Sequence, residues 1–277
     1  ACLTNPEYVE DVQDTGRIQN PPAKTFMIPT TAGTGAEATP NAIFLFPEQN
    51  LKIGIVSPAF VASYVILDGK MTESLPASLT ASTGIDALCH AVESYISILA
   101  NPLSRVFSRA ATKKICANLE KAWKDGSDLE ARQNLLEGAF LAGVCLTSSS
   151  TVAVHALSYP LGGKYHIPHG VSNAILLEAV MRVNLPDCRE AFTELAPLML
   201  PNCENIPKET WPEAVVDYMG SLCRRLQIPD SLRTFGIEPD ALDELTDNAM
   251  EVKRLLLKNP RKLTRQEIRG IYEGLLR

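Results

Sequence analysis

The sequence predicts a small β-containing front, ending near residue 70, followed by a larger all-α back. Three observations carry this. Strand-like apolar runs bounded by Pro, Gly, Asn and Asp occupy the first seventy residues. From Met71 onward, apolar residues recur at helical spacing. All four histidines of the chain, His90, His155, His166 and His169, fall in that helical part. At 277 residues the chain is long enough for one or two domains and for a sizeable core.

In chain order, Thr25–Ile28 is a short apolar run ending at Pro29, and Ala42–Phe46 and Leu51–Val56 are two further strand-like runs. Pro47-Glu48-Gln49-Asn50 joins them as a hairpin connection. Tyr64–Leu67 is the fourth run, closed by Asp68-Gly69. Helical spacing then appears over 79–99, where Ile85, Leu88, Cys89, Val92, Tyr95 and Ile96 share a face. It continues over 102–123, 129–146, 170–183, 186–200 and 211–226, with a break expected at Leu185-Pro186. Thr264-Arg265-Gln266-Glu267 is a capping box that opens a last helix.

Composition narrows the function. Hydrophobic residues make up 45% and charged residues 21%, which excludes a disordered tail. A net charge of −6 argues against a broad nucleic-acid surface. No run reaches the length of a membrane span; the longest candidate, 53–67, is interrupted by Ser57, Pro58 and Ser63. Seven cysteines, an odd number with no C-x-x-C, argue against a disulfide framework and predict a cytoplasmic protein, with Cys89, Cys116 and Cys145 in apolar helical runs expected as buried hydrophobes. No signal peptide is visible, and the first residue is Ala, not Met.

Two stretches carry candidate chemistry. Asp86 and His90 are four apart on a predicted helix, so a carboxylate and an imidazole lie one above the other. Such a pair can hold one side of Fe(II), Zn(II) or Mn(II), although an isolated Asp-x-x-x-His is common as a capping pair. Asp86 interrupts a face of apolar and small residues, and a buried carboxylate without a partner is costly. His155 opens a helix-like stretch and His169 follows Pro168 in a turn, so both can add ligands if the helices pack together. The second stretch, Pro29-Thr-Thr-Ala-Gly-Thr-Gly-Ala-Glu37, follows a strand. Its hydroxyls and glycines suit a phosphate or ribose, or simply a turn; it is neither a P-loop nor G-x-G-x-x-G.

These blocks resemble the iron-containing (group III) alcohol dehydrogenases. The matching segments are IPTTAGTGAEAT at 28–39, LTASTGIDALCHAVESYIS at 79–97, VHALSYPLGGKYHIPHG at 154–170 and NPRKLTRQEIRGIYEGLL at 259–276. The resemblance implies a dehydroquinate synthase-like architecture. Residues 1–70 would be part of an α/β dinucleotide-binding domain, and 71–277 an all-helical domain for metal and substrate. It implies four metal ligands, Asp86, His90, His155 and His169, for Fe2+ or Zn2+. Thr30, Thr31, Thr34, Asn41 and Lys52 would line the site for NAD or NADP.

The implied activity interconverts an alcohol and an aldehyde or ketone by hydride transfer, with the metal acting on the substrate oxygen. A small-molecule substrate and a homodimer follow from the resemblance, with no nucleic-acid or membrane partner. Two departures stand out. Family members carry a histidine four residues after the third ligand, and here that position is Tyr159. Tyr159 and His166 are therefore the candidates for moving the proton. The glycine loop that cradles the pyrophosphate in the family has no counterpart before Gly162-Gly163. Either the sequence is a piece of a longer enzyme, or it is a truncated member that keeps its metal site and serves as a metal-binding or scaffold protein.

Overall fold

The computed structural model describes residues 1–46 and 51–276. The front holds two small sheets. Strands β1 (Phe26–Met27) and β4 (Tyr64–Val65) run parallel, with Phe26 opposite Tyr64 and their rings stacked 4.7 Å apart. Strands β2 (Asn41–Phe46) and β3 (Leu51–Val56) form an antiparallel pair in which Asn41 faces Val56 and Phe44 faces Ile53. The expected hairpin at 47–50 lies outside the described residues.

Nine α-helices follow among the described residues. Helix α1 (Ala77–Ile96) starts directly after Pro76 and is buried almost all round from Thr80 onward. A helix buried on every face is the centre of its bundle. Around it pack α2 (Pro102–Lys124), α3 (Leu129–Ser149) and α5 (His169–Met199). Helix α2 opens on a capping box: the Asn101 side chain accepts from the Ser104 N–H at 3.0 Å, and Ser104 Oγ accepts from the Asn101 N–H at 2.9 Å. Asp128 caps α3 through the Ala131 N–H at 2.9 Å. After α3 the chain turns by 104° into α4 (Ala153–Tyr165). Helices α6 (Trp211–Arg225), α7 (Leu242–Met250), α8 (Lys253–Leu256) and α9 (Arg265–Gly274) complete the back. The capping box at Thr264 and Glu267 forms as expected. No single described helix is long and apolar enough to cross a membrane.

Two expectations need correction. Helix α5 does not break at Pro186; it runs 31 residues through both Pro186 and Pro197. A proline inside a helix removes one hydrogen bond and crowds the preceding turn. Burial on both sides of the proline, from Val180 and Met181 to Cys188 and Phe192, holds the helix together. Beside it, Asn184 and Asn259 exchange two buried amide hydrogen bonds of 3.0 and 2.7 Å, which pin the chain before α9 onto α5. His169, expected in a turn, is the first residue of α5, with Pro168 at the cap position.

The loop after β1 is clamped onto the helical back. Gly35 has φ +59°, a left-handed conformation suited to glycine, and it meets α3 backbone to backbone. A Cβ on Gly143 would lie 2.2 Å from the Gly35 carbonyl oxygen. Gly143→Ala is therefore expected to destabilise the protein by about 1–3 kcal/mol through overpacking. A thermal unfolding midpoint equal to that of wild type would contradict this contact.

Candidate metal centre

The centre is built on α1. Asp86, His90 and Glu93 are spaced i, i+4 and i+7, so they share one face of a helix that is otherwise apolar there. Helix α4 brings His155 in its first turn, and α5 brings His169 at its first residue. One donor atom from each of Asp86, His90, His155 and His169 lies within 4.8 Å of the others. The Nε2 atoms of His90, His155 and His169 stand 3.7, 3.5 and 3.5 Å from the same Asp86 oxygen, Oδ1. The Nε2 atoms of His90 and His155 face each other at 2.9 Å, in rings stacked 4.7 Å apart.

Residues behind this set aim it. Glu93 is fully buried; one carboxylate oxygen accepts from the Val154 N–H at 2.7 Å and the other accepts from Nδ1 of His155. With Nδ1–H held by Glu93, the Nε2 lone pair of His155 is directed at the cluster, the carboxylate–histidine arrangement that tunes metal sites. Asn173, four residues after His169, donates to Asp86 Oδ1 at 2.7 Å. Its amide also lies 3.1 and 3.2 Å from Nε2 of His155 and His169. Gly170 lets α5 approach: a Cβ there would lie 2.3 Å from the Ser82 carbonyl of α1.

Electrostatics favour the ligating protonation states of Asp86 and His90, and oppose that of His155. Burial alone would raise Asp86, but the surrounding imidazoles, His90 foremost, outweigh it and hold the carboxyl far below its usual range. Burial pushes His90 down to about 3 despite Asp86, so its ring is neutral. His155 is also opposed by burial, yet Glu93 and Asp86 raise it to about 9. Three converging imidazole nitrogens and a carboxylate oxygen fit a divalent transition metal better than a proton, which bridges only two of them.

Sequence reasoning missed Glu93 and Asn173. Their signal was present, because each sits at helical spacing from a histidine named above. The other expected residues are placed as follows. Thr30, Thr31, Thr34 and Asn41 are exposed, while Ala32 and Gly33 between the threonines, and Gly35 just after them, are buried against the helices. Gly33 lies against α1, where a Cβ on it would come 2.9 Å from the Thr83 Cβ, and the buried His90 Nδ1 has no hydrogen-bond partner among the described residues. Lys52 lies in β3, and its side chain is outside the described residues. Tyr159 is one turn beyond His155 and 42% exposed. His166 lies outside the four-residue cluster; it is the exposed, left-handed C-cap of α4, with φ 54°.

Four ligand-type side chains from three helices, beside a small strand-bearing front, define a metal protein of the helical-bundle kind. The chain belongs to the iron-containing alcohol dehydrogenase family. Residues 1–69 match "Iron-containing alcohol dehydrogenase", and residues 80–276 match "Fe-containing alcohol dehydrogenase family, C-terminal". It is 38% identical over 248 residues to long-chain-alcohol dehydrogenase 1 of Geobacillus thermodenitrificans, a match covering 90% of this chain and 62% of that protein. It is 30% identical over 268 residues to the NAD-dependent methanol dehydrogenase of Bacillus methanolicus, covering 97% of this chain and 70% of that one. The crystal structure of a 1,3-propanediol oxidoreductase superposes with a TM-score of 0.89 at 35% identity, covering 93% of this chain and 67% of that chain. The chain thus spans less than two thirds of the first of these relatives.

Two measurements test the centre. In Glu93→Gln the amide would accept from Val154 and donate to His155 Nδ1, forcing the His155 proton onto the ligand atom Nε2. Zinc affinity, read by competition with a chelator, is expected to fall about 10–100-fold; unchanged affinity would show that Glu93 does not set the tautomer. Without metal, His155 keeps its second proton up to about pH 9, and metal must displace it. Affinity should therefore rise about tenfold per pH unit from neutrality and level off near that value. A flat profile would exclude proton displacement from His155.

Proposed function

We propose that the protein is an NAD(P)-dependent alcohol dehydrogenase that interconverts an alcohol and an aldehyde or ketone. One observation supports this reading: the threonine loop lies against α1, the helix of Asp86 and His90, where a Cβ on Gly33 would come 2.9 Å from the Thr83 Cβ. A dinucleotide held on the exposed hydroxyls of Thr30, Thr31 and Thr34 would therefore lie beside the metal ligands. Asn41, also exposed, would extend that surface. The relative from Bacillus methanolicus, named as NAD-dependent, supports the same cofactor class.

Asp86, His90, His155 and His169 would hold Fe2+ or Zn2+. When bound, such an ion supplies Lewis acidity toward the substrate oxygen and stabilises alkoxide character there. The chain's own part is orientation. Glu93 fixes the His155 ring and Asn173 fixes Asp86. Three of the ligands are buried, while the His169 side chain is 46% exposed, so substrate approaches on the His169 side. Tyr159 is the nearest exposed hydroxyl group along α4. Burial raises its pKa, with Arg254 working against that, so the phenol stays protonated and passes its proton as a donor. His166, at the α4 terminus, would serve only through intervening water.

The test is metal content together with NADH-dependent aldehyde reduction. His155→Ala is expected to lose bound metal and turnover together. Tyr159→Phe is expected to keep its metal and turn over about 10²-fold more slowly, the lower end of acid–base contributions. Metal retained without NADH binding or turnover in wild type would instead favour a metal-binding remnant, and full metal occupancy in His155→Ala would refute the ligand set.

A further inference from the structure

Asn173 sits one turn beyond His169 on α5, so the two share a face of that helix. Its side chain is fully buried. The terminal nitrogen lies 2.7 Å from Asp86 Oδ1 and 3.1 and 3.2 Å from Nε2 of His155 and His169. Three of the four donor atoms thus converge on one atom of a neutral amide. The amide oxygen, in contrast, is sealed with no hydrogen-bond partner among the described residues.

These distances have a coordination reading. Bonds from a divalent transition metal to imidazole or carboxylate are about 2.1 Å long. Donors sharing a trigonal plane are then about 3.6 Å apart, and a donor on the axis is about 3.0 Å from each of them. Asp86 Oδ1 stands 3.5 Å from Nε2 of both His155 and His169, close to the planar spacing. The Asn173 atom stands at the axial spacing from all three. His90 Nε2, 2.9 Å from His155 and 3.7 Å from Asp86, supplies the remaining donor.

An N–H group is repelled from that position by a cation, because amide hydrogens carry positive charge. The carbonyl oxygen of the same amide is attracted to it. A half-turn about the last side-chain bond exchanges the two atoms, leaves α5 in place and breaks no hydrogen bond at the oxygen.

We propose that Asn173 is a fifth ligand of the metal centre, bonding through its carbonyl oxygen when an ion is held by Asp86, His90, His155 and His169. The inference rests on that ligand set and not on the dehydrogenase reading. It differs from a role in which Asn173 only donates to Asp86, and substitution separates the two. Aspartate at this position offers oxygen and no N–H, so it keeps a ligand and loses a donor.

Cobalt(II) titrated into the full chain provides the test, because its visible bands are intense when it is four-coordinate and weaken when a fifth donor is added. Wild type is expected to show the weaker, five-coordinate bands. Asn173→Leu keeps the outline of the side chain without a donor atom. There the bands should intensify severalfold and cobalt affinity should fall about 10–100-fold, a loss seen even for groups behind the ligands. In Asn173→Asp the bands should stay five-coordinate, with affinity equal to wild type or higher, because a carboxylate oxygen replaces the carbonyl. Loss of cobalt from Asn173→Asp, or bands in Asn173→Leu identical to those of wild type, overturns the proposal and leaves Asn173 as a donor that orients Asp86. Intense four-coordinate bands in wild type overturn it as well. If the aspartate variant does not fold, the leucine spectrum decides alone. A wild type that binds no cobalt would remove the four-ligand centre itself, and the fifth ligand with it.

Discussion

The structure is organised by two carboxylates buried on its central helix. Asp86 and Glu93 sit on α1 with almost no access to water. Removing an ionised carboxylate from solvent costs several kcal/mol unless hydrogen bonds and opposite charge offset it. The offsets come from elements distant in sequence. Glu93 takes the Val154 N–H, one of the unpaired amides at the start of α4, and the Nδ1 side of His155. Val152, at the cap position of that helix, provides no side-chain cap, so Glu93 acts as the cap from across the bundle. Asp86 in turn collects the amide of Asn173 and the imidazole at the start of α5. The same two charges that need compensation therefore fix where α4 and α5 begin, and so place the histidines.

Backbone proximity completes the placement. Gly170 allows α5 to lie against the Ser82 carbonyl, and Gly35 and Gly143 allow the threonine loop to lie against α3. A side chain at any of these points would hold the elements apart by more than the tolerance of metal ligation, which is a few tenths of an ångström. Packing and ligation are thus one constraint here. The glycines set distance, the buried carboxylates set orientation, and the ligand atoms converge as a consequence.

Much of this was legible in the sequence, for identifiable reasons. Asp86 and His90 stood out because a charge within an apolar helical face demands a partner. Thr264–Glu267 marked a helix start through local chemistry alone. Glu93 escaped notice because a glutamate near a helix end is ordinary until its burial is known. Asn173 escaped because a neutral amide carries no charge to explain. Pro186 misled for the opposite reason: the local rule was sound, but buried packing on both sides and the Asn184–Asn259 pair outweighed it. Helices α7 and α8 carry no cap or long periodic run, and their place is set by contacts with α4 and α9. What the sequence hid was the compensation between segments, which has no local signature.

Exposure around the centre gives it a direction. His90 and His155 are sealed by α1 and α4, and His169 alone among the ligands reaches solvent. The threonine loop closes the His90 side with a buried Gly33 and presents its hydroxyls outward. Tyr159 lies one turn along α4 from His155, and α8 packs against that helix. Among the ligands only His169 is open to water, so any outside group that completed the coordination of an ion there would arrive past that side chain.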